Sequence, residues 1–131
     1  MTDKKTKILL VDDDADFIGP SKAALEGDGF EVVTAFSGRE GLDKVKFEQP
    51  DLVVVSLTLE KHDSGFIFVK TLKADPLHKH IPVLLLSTAA AAGYEFSQEL
   101  DGYWMKTDDY ANKPLLPEEL LERVNGLLAR R

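Results

Sequence analysis

The sequence contains no cysteine, few histidines and no long apolar run. Without cysteine, the chain forms neither a disulfide nor a thiolate metal site. No apolar run approaches the roughly 20 residues that a membrane-spanning helix needs. The N-terminus carries charged residues where a secretory signal would have an apolar segment. We therefore expect a cytoplasmic protein that does not enter a membrane.

Basic residues are also in deficit, with 16 Lys and Arg against 23 Asp and Glu and a net charge of −7. Such a balance argues against nucleic acid or an anionic membrane as the main partner. With 131 residues, 44% of them hydrophobic, the chain has the size and composition of one globular domain with its own core. We expect a single domain over residues 1–131.

Short apolar, β-branched runs recur along the chain and predict strands that are buried on both faces of a parallel sheet. Residues 50–56 are the clearest run, since Leu52 and three valines follow the Pro50-Asp51 turn and Ser56 ends the strand. The other predicted strands cover residues 6–11, 30–36, 83–86 and 110–112.

Helical spacing predicts a helix after each of the first three strands and after the last one. Asp14 is a candidate N-cap for the first helix, and Ser37 with Glu40 has capping-box spacing for the second. Pro20 removes a backbone hydrogen bond, so we expect a kink or an irregular first turn there. Pro117 lies in the first turn of the last helix.

This alternation predicts an α/β fold, a doubly wound five-stranded parallel sheet with helices on both faces, in three α/β/α layers. Residues 89–109 lack a clear period, and we expect a loop with a short helix. In such sheets, ligands bind outside the carboxyl ends of the strands. Polar residues follow the predicted strands at that edge: Asp12, Asp13, Asp14, Ser56, Ser87, Thr88, Asn112 and Lys113.

The residues at this edge suit two kinds of ligand. Adjacent aspartates offer the hard oxygen atoms that Mg²⁺ prefers. A lysine and a hydroxyl group suit a phosphoryl group, one as a point charge and the other as a hydrogen-bond donor. The alternative from the aspartates alone is that Asp12 to Asp14 cap a helix and solvate a loop.

Four segments together resemble a response-regulator receiver domain, the flavodoxin-like, chemotaxis-regulator fold of two-component phosphorelay signalling in bacteria. They are Val11-Asp12-Asp13-Asp14, residues 50–55, residues 81–87 and Tyr110-Ala111-Asn112-Lys113-Pro114. The resemblance extends over nearly the whole chain. Each segment alone is weak, and the joint spacing makes the match specific.

The resemblance implies roles for the residues at the sheet edge. Asp12 and Asp13 match the acidic pair that holds Mg²⁺, with the backbone carbonyl of Thr58 as a further ligand. Ser87 matches the hydroxyl that hydrogen-bonds the phosphoryl group, and Lys113 matches the lysine that pairs with it.

Further expectations concern the last strand. Tyr110 matches the aromatic residue that moves between exposed and buried positions as a receiver switches. The Lys113-Pro114 peptide bond is expected to be cis. Without metal, we expect Lys113 to pair directly with Asp12 or Asp13, because the acidic pair otherwise lacks a neutralising charge.

The most consequential departure is Ser56, which stands where the family has its phospho-acceptor aspartate. A carboxylate forms a labile acyl phosphate, whereas a serine forms only a stable ester and supplies no charge to a metal. Ordinary phosphoryl acceptance is therefore expected to be lost. The alternatives are a surrogate acceptor such as Asp13 or Asp63, Ser56 modified by another kinase, or an introduced Asp-to-Ser substitution.

The expected function is that of a pseudo-receiver, a signalling protein that acts through protein–protein interaction. We do not expect an enzyme, beyond at most residual autophosphorylation or autophosphatase activity of the receiver type. Its partner would be a histidine kinase or a downstream protein, with at most weak Mg²⁺ binding and a monomer or weak dimer. The alternative is a phosphorylatable, Mg²⁺-dependent receiver. A flavin-binding protein of similar topology is disfavoured because the loop after the first strand is acidic.

Two further groups of residues allow alternative interpretations. The aromatic residues within 89–109 either form a recognition patch or cover the sheet edge: Tyr94, Phe96, Tyr103 and Trp104.

The loop over residues 60–64 departs from the family pattern, since it has one residue more and lacks the proline of that pattern. His62, His78 and His80 lie in predicted loops, where we expect solvated side chains.

Overall fold

The computed structural model describes residues 5–56, 64–87 and 109–130, apart from the side chains of Ser64, Phe66 and Tyr110. In these ranges the strands are β1 Lys7–Val11, β2 Glu31–Ala35, β3 Leu52–Ser56, β4 Val83–Ser87 and β5 Asp109–Asn112. The helices are α1 Ala15–Gly27, α2 Gly38–Glu48, α3 Ser64–Ala74 and α4 Pro117–Arg130.

The strands form one parallel sheet in the order β2-β1-β3-β4-β5, which confirms the predicted doubly wound, flavodoxin-like receiver fold. Val11 aligns with Val55, Ser56 with Leu86, and Ser87 with Asn112. This register brings the carboxyl ends of β1, β3, β4 and β5 to one edge of the sheet, where the predicted site residues lie.

The strand side chains alternate between two cores, although the strands themselves are apolar throughout. One core packs against α2 and α3, and we call this side the α2–α3 layer; its helix residues are Val45, Phe68, Val69 and Leu72. The opposite core packs against α1 and α4, the α1–α4 layer; its helix residues are Leu25, Leu120, Val124 and Leu127.

β2 is shorter than predicted, covering Glu31–Ala35 instead of residues 30–36. Its flanking N–H groups bond elsewhere: Phe30 donates to the Leu25 carbonyl at 3.1 Å, and Phe36 donates to Glu40 Oε1 at 2.8 Å. Ser37 Oγ accepts the Glu40 N–H at 3.1 Å, as the capping box predicts. The Glu40 carboxylate accepts the N–H of Phe36, which is the residue before the N-cap Ser37.

The irregular turn expected at Pro20 does not interrupt α1, which is continuous from Ala15 to Gly27 with Pro20 inside it. The first turn is held by Asp14 Oδ1, which accepts the N–H groups of Asp16 at 3.0 Å and Phe17 at 3.3 Å. Pro20 and Asp16 are both exposed, so water can solvate the Asp16 carbonyl that lacks its helical donor.

The other boundaries differ from prediction by one or two residues. β1 begins at Lys7, β4 extends to Ser87, β5 begins at Asp109 and α3 begins at Ser64. None of the helices in the described ranges is long and apolar enough to span a membrane. Several predictions fall outside the described residues: those for Thr58, His62, Asp63, the loop over 60–64, and 89–108 with its aromatic residues.

Candidate functional site

The site lies at the carboxyl edge of the sheet, and each described side chain reaches it from the end of a strand. Asp12 and Asp13 follow β1 directly, Ser56 is the last residue of β3, and Ser87 is the last of β4. Lys113 follows β5. The parallel register thus collects residues from four separate parts of the sequence.

The shortest ionic contact at this edge joins Lys113 Nζ to Asp12 Oδ2 at 2.6 Å. The side chains of Lys113 and Asp12 are only 12% and 3% exposed, so the pair is largely shielded from water. Such shielding strengthens the attraction between the charges, although desolvation of both groups opposes it. The predicted contact between Lys113 and the acidic pair is confirmed, with Asp12 as the partner.

Two residues of the α1 region also contact Lys113, and the sequence did not indicate either contact. Asp14 Oδ2 lies 3.5 Å from the ammonium, and the centroid of the Phe17 ring lies 4.4 Å from it. Asp14 was predicted only as a helix cap and Phe17 only as part of an apolar face. Asp14 caps α1 through Oδ1 while its Oδ2 approaches Lys113, and Phe17 lies in the first turn of the same helix, so only their place at the start of α1 hinted at these contacts.

The backbone of Lys113 is held as firmly as its side chain. Its N–H donates to the Ser87 carbonyl at 2.7 Å, which ties the segment after β5 to the end of β4. The Lys113-Pro114 peptide bond is cis, as the family resemblance implied. The hydrogen bond to Ser87 positions the Lys113 backbone beside the end of β4.

Both carboxylate oxygens of Asp12 have partners. Oδ2 contacts Lys113, and Oδ1 accepts the Asp14 N–H at 3.0 Å. Burial raises the pKa of Asp12 above its usual value, while the hydrogen bond and positive charge of Lys113 act in the opposite direction. Burial is the larger influence, so Asp12 is less acidic than a solvated aspartate.

The two serines are buried at the ends of neighbouring strands, with Ser56 1% and Ser87 7% exposed. Asp13, in contrast, is exposed. The backbone of Tyr110 pairs with Leu85 inside β5, whereas its side chain is outside the described part of the structure. The predicted Thr58 ligand is also outside it.

The donor atoms are of the kind that Mg²⁺ prefers, namely the carboxylate oxygens of Asp12 and Asp13. They fit such an ion only in part, because Asp12 is already engaged by Lys113 and Ser56 contributes no charge. Across residues 5–56, 64–87 and 109–130, no group of three or more His, Cys, Asp or Glu side chains is arranged to hold a metal ion. His78, expected to be solvated, instead has its Nδ1 3.0 Å from Asp75 Oδ2 and a side chain that is only 19% exposed. His80 is exposed, as expected.

Comparison with known proteins shows to which family the chain belongs. The family model for the response regulator receiver domain matches residues 8–125. The alkaline phosphatase synthesis transcriptional regulatory protein PhoP of Bacillus subtilis is 38% identical over 124 residues, which is 95% of this chain and 49% of that protein. The chain thus spans about half the length of the curated relatives that it matches.

Solved structures of response regulators have the same fold as this chain. Chemotaxis response regulator CheY4 of Vibrio cholerae is 29% identical with a TM-score of 0.81, covering 95% of this chain and 99% of the other. A CheY-like receiver domain protein of Methanospirillum hungatei is 26% identical with a TM-score of 0.82, covering 97% and 96%. The chain belongs to the response regulator receiver domain family and is a receiver domain of two-component signal transduction.

Proposed function

We propose that this receiver domain does not accept a phosphoryl group at position 56 and signals through protein–protein contacts, as a pseudo-receiver. The observation that carries the proposal is Ser56, at the end of the central strand β3 and 1% exposed. The family resemblance implies an acceptor aspartate at this position. The fold and the residues around it belong to a receiver, while the acceptor group differs.

The chemistry of the two side chains explains the expected loss. An aspartate is ionised at neutral pH, and its oxygen attacks phosphorus directly, so that the phosphohistidine N–P bond breaks and an acyl phosphate forms. A serine hydroxyl must first lose its proton to a base. Its product is an ester, which lacks the lability of a mixed anhydride. Burial of Ser56 also hinders access by an unrelated serine kinase.

The state of Lys113 supports the same proposal. In this chain its charge is compensated by Asp12 at 2.6 Å and by Asp14 at 3.5 Å. The lysine therefore has anionic partners even though position 56 has no carboxylate. We infer one stable arrangement at this edge and no catalytic turnover by this domain.

Receiver domains typically bind Mg²⁺. In this chain Asp12 and Asp13 would hold the ion, with weak affinity because it must compete with Lys113 and gains no charge from Ser56. When bound, the cation would neutralise negative charge on an incoming phosphoryl group.

Receiver domains work with a kinase, so the expected partner is a histidine kinase or a protein that acts downstream of it. The relative from Bacillus subtilis is a transcriptional regulator, and the match covers 49% of it. We do not assign DNA binding to the present domain, because its net charge is −7. We expect a monomer or a weak dimer.

The test is phosphorylation by acetyl phosphate with Mg²⁺, read by intact mass on the native chain and on Ser56→Asp. We expect the native mass to stay unchanged and the variant to gain a phosphoryl group that hydroxylamine removes. Ser56→Asn is the matched control, since it has the shape of aspartate without its charge.

Three outcomes would contradict the proposal. A hydroxylamine-labile phosphoryl group on the native chain would establish a surrogate acceptor such as Asp13 or Asp63. A hydroxylamine-stable group on Ser56 would establish a serine ester. Failure of Ser56→Asp to react would refute the claim that the rest of the site is a receiver site.

A further inference from the structure

The exposed large apolar side chains of the described residues are concentrated on one side of the sheet. Four of the five belong to the α2–α3 layer or its adjoining turns, namely Phe36, Phe47, Ile67 and Leu77, and the fifth is Leu116. Phe47 and Leu77 are the most exposed, at 79% and 75%. Single exposed apolar residues are ordinary, but their concentration on one layer is not.

Phe47 and Leu77 lie at the amino-terminal edge of the sheet, opposite the candidate site. Phe47 is in the last turn of α2, and Leu77 is in the turn between α3 and β4. The two segments are neighbours, since α2 and α3 pack against each other and lead into β3 and β4, which are adjacent in the sheet. The last turn of α2, with Lys46 and Phe47, therefore lies on the same part of the edge as the turn that carries Leu77.

The charge of this region is the opposite of that of the whole chain. Residues 36–48 and 67–81 contain six Lys and Arg against four Asp and Glu. Three of the four acids have internal partners: Glu40 accepts the Phe36 N–H at 2.8 Å, Glu48 pairs with Lys7 at 3.1 Å, and Asp75 accepts the Leu77 N–H at 2.9 Å.

Four of the six cations of the region are exposed, and the other two, Lys44 and Lys73, are half-buried. Lys46, Lys70 and Lys79 are exposed, as are Phe47 and Leu77 beside two of them. We define the basal patch as Lys46, Phe47, Leu77 and Lys79. It combines two apolar anchors with two ammonium groups.

We propose that the basal patch docks an acidic polypeptide segment that carries large apolar side chains. The lysines attract and orient carboxylates, and the two apolar side chains are the groups that gain most from burial against a partner. A protein partner is favoured over an anionic membrane, because receiver domains work with a kinase, which is a protein. The inference rests on the proposed signalling through protein contacts and assigns a surface to it.

The test is an NMR titration of the unphosphorylated, ¹⁵N-labelled chain with a random copolymer of glutamate and tyrosine. We expect amide shifts confined to residues 43–49 and 73–81. The double variant Phe47→Ser with Leu77→Ser should weaken binding at least about tenfold, as expected for anchors of an interface. The double charge reversal Lys46→Glu with Lys79→Glu should do the same.

The matched controls are Leu116→Ser and Arg130→Glu, which change an exposed apolar and an exposed basic residue outside the patch. They should alter affinity less than about twofold, because surface changes away from an interface have small effects. Melting curves verify that all variants are folded.

The proposal is overturned if polyglutamate without tyrosine binds equally well, if the shifts fall on α1 or α4, or if the controls weaken binding as much as the patch variants. Preferential binding to phosphatidylglycerol vesicles would replace the protein partner by a membrane. None of these outcomes depends on phosphorylation, so this inference and the loss of phosphoryl acceptance at Ser56 can fail separately.

Discussion

The two helical layers of this domain are alike inside and different outside. Both bury an apolar core against the one sheet, and among the described residues β1 to β4 contribute to both cores while Ala111 of β5 joins only the α1–α4 side. Outside, residues 12–28 and 109–130, which include α1 and α4, have ten Asp and Glu against four Lys and Arg, whereas the α2–α3 side has a basic excess and the most exposed apolar residues. Core burial therefore accounts for the fold on both sides, and the outer surfaces distinguish what each side can bind.

The layers also differ in what they contribute to the carboxyl edge. Asp14 and Phe17, at the start of α1, contact Lys113 beside Asp12. Within the described residues, the Lys113 side chain has its ionic and ring contacts with Asp12 at the end of β1 and, from the helical layers, only with the start of α1. Of the two layers, the acidic one therefore contributes to the ionic contacts of the site, whereas the basal patch lies on the other layer and at the opposite edge of the sheet.

The largest expected effect tests whether the two cores are equivalent. Phe68 of α3 is 1% exposed and Leu120 of α4 is 0% exposed. Phe68→Ala and Leu120→Ala should each lower the free energy of unfolding by about 3–4 kcal/mol through lost burial and a cavity. Urea denaturation measures both, and we expect one transition in each variant. A loss under about 1 kcal/mol in one variant would mean that its layer packs loosely.

The next effect concerns the charge that Asp12 buries. Lys113→Met should lower the free energy of unfolding by about 3 kcal/mol at neutral pH, because the Asp12 carboxylate is left without its cation. Urea denaturation at several pH values measures this loss.

The sign of the pH dependence follows from the pKa of Asp12, which burial raises in the folded state and which should rise further without Lys113. A raised folded pKa means that the folded state holds the proton longer, so stability is lost as pH rises. The deficit of Lys113→Met should be small below about pH 4 and complete above the raised pKa. Arg123→Met is the control, since its pair with Asp109 at 3.3 Å is exposed and should cost under about 1 kcal/mol. An equal deficit at all pH values would exclude Asp12 as the cause.

A smaller effect is expected when an aspartate replaces Ser56. Without metal, Ser56→Asp should be about 1–2 kcal/mol less stable than Ser56→Asn, because a further carboxylate joins Asp12 at the edge. Mg²⁺ should raise the melting temperature of Ser56→Asp more than that of Ser56→Asn, as a ligand of the folded state does. Melting curves with Mg²⁺ and with a chelator measure both effects. Identical curves for the two variants would contradict this account of charge at the site.

The smallest effects compare one glycine from each layer. A Cβ on Gly41 of α2 would lie 2.8 Å from the Phe68 ring and 3.1 Å from Val11, so Gly41→Ala should cost about 1–2 kcal/mol. A Cβ on Gly126 of α4 meets nothing within 4 Å, so Gly126→Ala should stabilise by about 0.5–1 kcal/mol. Thermal melts measure both, and the same sign for the two variants would contradict the packing described for them.

Much of the fold was predictable because its signals are local. The apolar runs located the strands to within about two residues, a usual error at element ends. The Asp14 cap and the Ser37–Glu40 spacing marked helix starts that the structure confirms. The irregular turn predicted at Pro20 was wrong, because at an exposed position water replaces the backbone hydrogen bond that proline cannot donate.

The candidate site was predictable in part. Because parallel strands bring their carboxyl ends together, the contact of Lys113 with the acidic pair could be expected without coordinates. Its partners Asp14 and Phe17 could not, since their approach depends on how α1 leaves β1. The roles assigned to Thr58 and to the side chain of Tyr110 stay predictions.

By itself, the sequence determined the α/β alternation, the parallel sheet, the edge at which the polar residues gather and the serine at position 56. These follow from residue type and spacing. Only the tertiary structure decided which core each strand residue joins, because a strand that is apolar on both faces carries no alternation to show its orientation. It also decided that Phe47 and Leu77 face solvent beside lysines, since exposure depends on what packs against a side chain, and no local pattern encodes that.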